Sequence, residues 1–228
     1  MAIAQLVEQP GIGTGLYTYS EAARLLRVST QKVSRWANGY TYKMYGLERK
    51  KRPILQRQMT EHGLLTFRDL IELFVVQQLR ELGVKLEHIR NTSKRLAEEW
   101  NTPYPFASQN INTDGSQILT EADGCYENAE TKQKVLDIVE DFFKNVEFDA
   151  DDIASKWWPR GIDGNILVDP RYSFGSPVIK DKGIRTEVIY LTYKAEKGDV
   201  DSVADWYDIT ADEVKAAVAF EEEWQTAA

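Results

Sequence analysis

The chain has 228 residues, of which 43% are hydrophobic, and a formal net charge of −8 at pH 7. That length can bury a sizeable core and favours more than one domain. No stretch approaches the ~18 consecutive apolar residues of a membrane helix, and the first residues lack the basic-then-apolar pattern of a signal peptide. The single Cys125 excludes an intramolecular disulfide, so we expect a cytoplasmic protein without membrane contact.

Two short helices are predicted after a loose, glycine-containing leader at residues 1–15. Ser20 and Ser29 are N-cap residue types, and each precedes a short helical run. The apolar residues of both runs fall where two helices crossing at a tight turn would bury them. These residues are Ala22, Ala23, Leu26, Val28, Val33 and Trp36.

The remaining face of the second helix carries side chains that can reach bases and phosphates. They are Ser29, Thr30, Lys32, Ser34 and Arg35. An aromatic and basic ribbon follows Asn38-Gly39, with Tyr42, Lys43, Arg49, Lys50, Lys51 and Arg52 as its candidate contact residues. This order predicts a winged helix-turn-helix that binds double-stranded operator DNA.

Charge separates this prediction from the alternative of two surface helices and a solvated basic loop. Residues 1–60 contain ten Lys and Arg against three Asp and Glu, whereas residues 61–228 contain eighteen against thirty-three. A basic module on an acidic chain favours a polyanionic partner for that module, and DNA is such a partner.

A pair of helices is predicted next, after a possible return strand at Arg57-Gln58-Met59. Thr66 and Asp69 form a capping-box pattern, and apolar spacing predicts a helix over Phe67–Leu82. A second helix is predicted over Leu86–Trp100. Its apolar stripe exceeds what one supporting helix needs, so we expect a homodimer. The stripe comprises Leu86, Ile89, Leu96 and Trp100.

Residues 101–165 are predicted to form a connecting region of mixed structure. Pro103 and Pro105 mark its start. A hairpin is predicted from Phe106–Ile111 and Gln117–Leu119, because Asp114-Gly115 is a favoured turn. The other predicted elements are a helix over Thr131–Lys144, with Val135, Ile138, Val139, Phe142 and Phe143 on its buried face, and strands over 154–159 and 165–170.

The carboxy-terminal region is predicted to be a three-helix bundle of the helix-turn-helix type. Its helices cover Thr186–Lys197, Asp201–Trp206 and Ala211–Trp224, and Thr210 with Glu213 forms a capping box for the third. Residues 195–228 contain ten acids and two lysines, so this bundle should repel phosphate. The predicted fold class is mainly α with small β elements (α+β), divided into domains at 1–100, 101–165 and 166–228.

Catalytic chemistry is not indicated by any motif. His62 and His88 are the only histidines, and with one cysteine they fall short of the usual zinc ligand sets. The sequence has no glycine-rich phosphate loop or Ser-His-Asp arrangement. We therefore expect a protein that is not an enzyme, with no catalytic residue, metal site or cofactor.

The amino-terminal half resembles the DNA-binding domain of the MerR family. The resemblance covers about residues 16–100 and lies in the paired helices, the wing and the run LTFRDLIELFVVQQLRELGVKLEHIR. It implies a dimer that contacts two half-sites and places Ser29–Arg35 against DNA, with Trp36 in a packing role. The family's long dimerisation helix and effector cysteines are absent, so metal or drug sensing is not expected.

The carboxy-terminal part resembles a small antitoxin domain. The matching motifs are Asp169-Pro170, Gly175–Ile179, Ile184-Arg185-Thr186 and the run from Ile209-Thr210 to Val214. Together the two halves resemble a VapB-type antitoxin. This resemblance implies a PIN-domain ribonuclease toxin as the protein partner.

The candidate toxin-binding residues are aromatic and basic. Trp157, Trp158 and Tyr172 could anchor a partner or fill the core of the second domain. Arginine could neutralise the carboxylates that hold Mg²⁺ in a PIN nuclease, with ordinary surface charge as the alternative. The basic candidates are Arg160, Arg171, Lys180, Lys182 and Arg185.

Two other functions remain open at this point. A stand-alone MerR-type transcription regulator would use its second domain to sense a ligand or a protein. An RNA-binding adaptor would require the basic face to prefer single strands.

Overall fold

The computed structural model describes residues 14–56, 63–112 and 140–226, together with Gln133 and Asp137, and it describes side chains as far as residue 223. These residues form an α+β structure in which helices dominate and the strands occur as small antiparallel pairs. No helix in this part of the chain combines the length and hydrophobicity needed to cross a bilayer.

The first two helices form the predicted helix-turn-helix. Helix α1 covers Tyr19–Leu26 and α2 covers Thr30–Asn38. The prediction of Ser29 as N-cap of α2 is confirmed, because its side chain accepts from the Lys32 amide. The prediction of Ser20 is wrong: Thr18 caps α1 and forms a capping box with Glu21. Ser20 therefore lies inside the first turn.

The wing is a two-stranded antiparallel hairpin. Strand β1 covers Tyr40–Met44 and β2 covers Leu47–Lys51, with Met44 opposite Leu47 at the tip. Tyr45 and Gly46 both have positive φ angles, of 51° and 79°, as a tight hairpin turn requires. The predicted return strand at 57–59 and the leader up to residue 13 lie outside the described residues.

Helices α3, over Phe67–Glu81, and α4, over Leu86–Glu99, agree closely with prediction. The Thr66–Asp69 capping box is confirmed. The homodimer was predicted from the apolar stripe of α4, but this stripe packs inside its own chain and does not support a dimer. Ile89 and Leu96 are fully buried, and the other two stripe residues pack against the same core. The homodimer stays a prediction without this support.

The connecting region departs from the predicted hairpin. Residues 106–111 form a turn and a 3₁₀ helix that covers Gln109–Asn112. The buried carboxylate of Glu72 on α3 accepts the Ala107 amide at 2.8 Å, and Ser108 pairs with Ile153. Tertiary partners thus replace the expected cross-strand partner. The predicted second strand, Gln117–Leu119, lies outside the described residues.

The described residues of the predicted helix Thr131–Lys144 are helical as far as residue 143, and its Phe142 and Phe143 are buried. Its other predicted core residues lie outside the described part. Strand β3, over Val146–Phe148, was not predicted; it pairs with β4, over Ala154–Trp157. Strands β5, over Ile166–Leu167, and β6, over Val178–Ile179, form the third pair.

Three helices complete the chain: α5 over Thr186–Ala195, α6 over Val200–Tyr207 and α7 over Ala211–Thr226. The capping box of α7 is confirmed, since Thr210 and Glu213 exchange backbone and side-chain hydrogen bonds. The three helices share one apolar cluster. It contains Ile179, Ile189, Tyr190, Val203, Ala204, Ile209, Val214, Ala217 and Val218.

The main hydrophobic core joins the amino-terminal and carboxy-terminal regions. Phe220 of α7 and Val168 belong to the same buried cluster as residues of α1, α2 and α3. The buried Tyr17 hydroxyl donates to the Gly175 carbonyl at 2.7 Å. The described regions therefore pack on one another, and the boundaries at 100 and 165 stay predictions.

Candidate nucleic-acid interface

Helix α2 presents one apolar face and one polar face. Val33, Trp36 and Ala37 are buried, which fixes the helix against the core. Most of the predicted DNA-contact residues of this helix lie on the opposite side: Ser29, Thr30, Lys32 and Arg35 are exposed, and Ser34 is half-buried. The structure therefore brings these five together on a single accessible face.

Arg35 links that face to the wing. Its guanidinium carbon lies 5.2 Å from the centre of the Tyr40 ring, a cation–π distance. The Tyr40 and Tyr42 rings are 5.8 Å apart. An aromatic pair thus supports the base of the wing beside the exposed end of α2, and it restrains Arg35 without burying its charge.

Cations occupy both faces of the wing. Tyr42 is opposite Arg49, and Thr41 is opposite Lys50. Because side chains alternate along a strand, Arg49 shares a face with Tyr42, whereas Lys43 and Lys50 lie on the other face. Lys43, Arg49, Lys50 and Arg52 are exposed. This ribbon can contact phosphates on either side of its long axis.

The wing tip adds exposed apolar residues that were not predicted as contacts. Met44, Tyr45 and Leu47 expose 47%, 92% and 61% of their surface. Such exposure on a hairpin tip favours contact with another molecule. The signal was present in the sequence, because a Tyr-Gly turn between two strands places its neighbours at the tip.

Among the described residues, Lys51 is the predicted DNA contact that is held by an acid. Its ammonium lies 2.6 Å from a carboxylate oxygen of Glu87 on α4. Beside this pair, the Arg90 side chain is buried and donates from Nε to the Arg52 carbonyl at 2.8 Å. Arg90 was not predicted as a functional residue. The sequence feature that could have identified it is a cationic side chain on the buried face of α4.

The two tryptophans among the predicted toxin contacts are part of the core. Trp157 and Trp158 are each only 5% exposed, and the Trp157 ring lies 5.1 Å from that of Phe74. Their burial favours the alternative that the two rings fill the core, and their role as partner anchors stays a prediction without support from exposure. Lys180 lies over the Trp158 ring at 5.2 Å.

The other predicted toxin contacts are accessible but paired. Arg160 lies 2.5 Å from Glu223 on α7, Lys182 pairs with Asp208, and Arg185 pairs with Glu187. The Arg171 guanidinium binds both carboxylate oxygens of the buried Asp169, with its side chain 61% exposed. Tyr172 is 52% exposed. Within the described residues, no group of His, Cys, Asp or Glu is arranged to hold a metal ion.

The exposed basic face of α2, its wing and its supporting helices define a winged helix-turn-helix. In agreement, residues 15–92 match the family described as "Putative DNA-binding HTH domain". Residues 166–220 match a family described as "Protein of unknown function (DUF433)".

A curated protein and a solved structure, both from Mycobacterium tuberculosis, match most of the chain. A curated protein of strain H37Rv named "Putative antitoxin VapB45" is 28% identical over 222 residues, which span 89% of this chain and 92% of the relative. The crystal structure of Rv2018 from the same species superposes with a TM-score of 0.67 at 26% identity, covering 89% of this chain and 96% of that one.

Proposed function

We propose that the protein is the antitoxin of a type II toxin–antitoxin system. It binds operator DNA through α2 and the wing, and it neutralises a PIN-domain ribonuclease through its carboxy-terminal region. The observation that carries the proposal is the exposed basic surface of α2 and the wing, on a chain similar over 89% of its length to a protein named as an antitoxin. The protein acts without catalysis and in the cytoplasm.

DNA binding uses the two parts of the amino-terminal surface differently. Helix α2 enters the major groove, where Arg35 and its neighbours contact base edges. The wing cations contact flanking phosphates, which supply affinity without sequence information. In the MerR-like arrangement two copies bind half-sites ~34–36 Å apart, one turn of DNA.

Toxin binding uses the basic residues that precede and begin α5. A PIN nuclease holds Mg²⁺ with carboxylates, and an arginine inserted among them forms bidentate, charge-assisted hydrogen bonds. Arg171 and Arg185 are the candidates, because their side chains are 61% and 46% exposed. Since toxin and DNA bind the same chain, toxin level can regulate the operon.

The test measures both activities on one full-length protein. Each neighbouring gene that encodes a PIN-like protein is co-expressed with this chain, the ribonuclease activity of its product is measured with and without this protein, and binding to the DNA upstream of the pair is titrated. We expect inhibition and DNA binding together. An unchanged ribonuclease rate at a molar excess of this protein would reject the antitoxin function.

A ligand-sensing regulator is the second candidate, and one feature favours it. A cleft of ≈ 420 Å³ lies where α1, α3 and α7 meet. Its lining combines aromatic residues with polar ones: Phe74, Phe142, Trp157, Trp158 and Phe220 beside Arg27, Gln77, Gln78, Glu81, Asp141 and Asn145. Aromatic linings with a few polar groups are typical of small-molecule sites. Operator binding that responds to an aromatic ligand, in a protein that does not inhibit the neighbouring nuclease, would favour this function.

A further inference from the structure

The base of the wing forms a cationic cleft on the side toward α4. Its volume is ≈ 470 Å³, and it lies between the end of β2 and the first half of α4. Five cationic side chains and one carboxylate line it. The cations are Lys50, Lys51, Arg52, Arg90 and Lys94, and the carboxylate is Glu87.

Arg90 is placed in this cleft by the fold. Its side chain is only 8% exposed, and its Nε–H donates to the Arg52 carbonyl at 2.8 Å. Among the described residues, its Nη2 is buried without a hydrogen-bond partner. A buried guanidinium nitrogen without an acceptor is costly, so the arrangement favours an anion at this place.

Glu87 supplies the negative charge among the described residues of the lining. Its Oε2 accepts from the Lys51 ammonium at 2.6 Å and lies 3.9 Å from Nη1 of Arg90. The hydrogen bond from Lys51 lowers the pKa of Glu87 from its ordinary value, which keeps the carboxylate charged near neutral pH. The side chain is 59% exposed, and exposed pairs of this kind contribute little stability.

We infer that this cleft is a second phosphate-binding site for the DNA backbone, in which Glu87 occupies the phosphate position until DNA binds. The inference rests on the proposed DNA binding and adds Arg90 and Lys94 on α4 to the contact surface. Carboxylate and phosphate oxygens are alike as acceptors for ammonium and guanidinium groups. A phosphate that enters between Lys51 and Arg90 therefore replaces the contacts of Glu87, and the released carboxylate opposes binding.

The test is a cycle of full-length variants that bind a random-sequence duplex of about three helical turns (~30 base pairs). Such a duplex suffices because phosphate contacts are independent of sequence. Glu87→Gln should bind about two- to fivefold more tightly at low salt. Its log–log salt dependence should steepen by at most about 0.9, the value of one phosphate neutralised, because the carboxylate that opposes the bound phosphate is removed.

Two further variants separate this site from a general charge effect. Asp212→Asn also removes one acid that is paired with a lysine, but on α7, and it should leave both quantities unchanged. Lys51→Gln in the Glu87→Gln background should cancel the gain. Equal gains in Glu87→Gln and Asp212→Asn, or a gain that survives Lys51→Gln, would overturn the inference.

Further outcomes distinguish DNA from a small anion as the ligand of the cleft. They also distinguish failure of the cleft inference from failure of the proposed DNA binding. Inorganic phosphate is titrated separately, and a gain from Glu87→Gln for phosphate but not for duplex would assign the cleft to a small anion and overturn the DNA site. If the unmodified protein binds duplex and Glu87→Gln changes nothing, the cleft inference fails alone. If the unmodified protein binds neither this duplex nor the upstream DNA, the proposed DNA binding itself fails.

Discussion

At the scale of single residues, Arg35 is the side chain from which most of the base preference should come. It is exposed on α2, and the Tyr40 ring restrains it at 5.2 Å. Replacement by alanine should cost ~1–3 kcal/mol of operator binding and relax the preference at one base position. Competition titrations against single-base operator variants measure both effects. Lys215→Ala, which removes an exposed cation from α7, is the control, and equal behaviour of the two variants would contradict the role.

Glu72 provides a pH-dependent prediction. Its carboxyl is fully buried, one oxygen accepts the Ala107 amide, and the other has no hydrogen-bond partner among the described residues. Burial raises the pKa of Glu72 well above its ordinary 4.5. Above pH 4.5 the folded state therefore retains a proton that the unfolded state has released, so this group lowers the stability as pH rises toward its folded pKa.

Glu72→Gln should remove that contribution, because its amide does not titrate. The difference in free energy of unfolding, unmodified protein minus variant, should fall from pH 4.5 upward, by at most about 1.4 kcal/mol per pH unit. Urea unfolding at a series of pH values measures it. Other buried acids, such as Glu221, are present in both proteins, so their contributions to the pH dependence cancel in the difference. Parallel curves would show that the carboxyl is charged in the folded state.

At the scale of elements, features that depend on nearby residues could be predicted from the sequence. Features that depend on residues distant along the chain could not. The capping boxes at Thr66 and Thr210 need only residues three positions apart, and the sequence was sufficient to locate them. The same pattern occurs at Thr18 and Glu21, where a complete capping box prevails over the N-cap preference of Ser20. By contrast, the turn at 106–111 depends on Glu72, 35 residues away from Ala107, and no local pattern reports such a partner.

The candidate site shows the same division. The exposed face of α2 and the wing followed from residue types and helical spacing. The burial of Trp157 depended on how β4 packs against Phe74 of α3, and the burial of Trp158 on the cluster that it forms with Leu167 and Val178. The pairing of Lys51 with Glu87 depended on where α4 begins relative to the wing, which spacing alone does not determine.

Gly39 connects α2 to the wing and should be intolerant of a side chain. Its φ is +73°, and a Cβ there would lie 2.3 Å from the Lys51 carbonyl oxygen. Gly39→Ala should cost at least 1–3 kcal/mol of folding stability and weaken DNA binding, because the wing must move. Gly46→Ala at the tip is the matched control: its φ is +79° with no atom within 4 Å, so only strain of about 1–2 kcal/mol applies. Urea unfolding that gives Gly46→Ala the larger loss would contradict this account.

At the scale of the whole molecule, α7 connects the two proposed binding surfaces. Arg24 of α1 pairs with Glu221 of α7, and Arg27, the C-cap of α1, pairs with Glu223 of α7. Glu223 also accepts from Arg160 at 2.5 Å. Glu221 in turn accepts from Thr186 at the start of α5. A partner that displaces α5 or Arg185 therefore acts on the residues that hold α1. Because the core is shared, the two functions are best separated by point variants of the full chain rather than by fragments.

Arg185→Ala should separate them from the toxin side. Arg185 is 46% exposed at the start of α5, and it pairs with Glu187, which is itself 44% exposed. Because an exposed pair contributes little stability, the guanidinium can transfer to carboxylates of a nuclease at little cost. Loss of a charge that becomes desolvated in an interface typically costs 2–5 kcal/mol. The variant should therefore release ribonuclease activity at concentrations where the unmodified protein inhibits fully, while operator binding in the absence of toxin is unchanged. Lys215→Ala should inhibit normally, and Arg35→Ala should also inhibit normally while it binds the operator ~1–3 kcal/mol more weakly. The arginine mechanism is wrong if Arg185→Ala and Arg171→Ala both inhibit the toxin as well as the unmodified protein does. If both variants lose inhibition and DNA binding together, they act through folding, and thermal unfolding of each variant would show this.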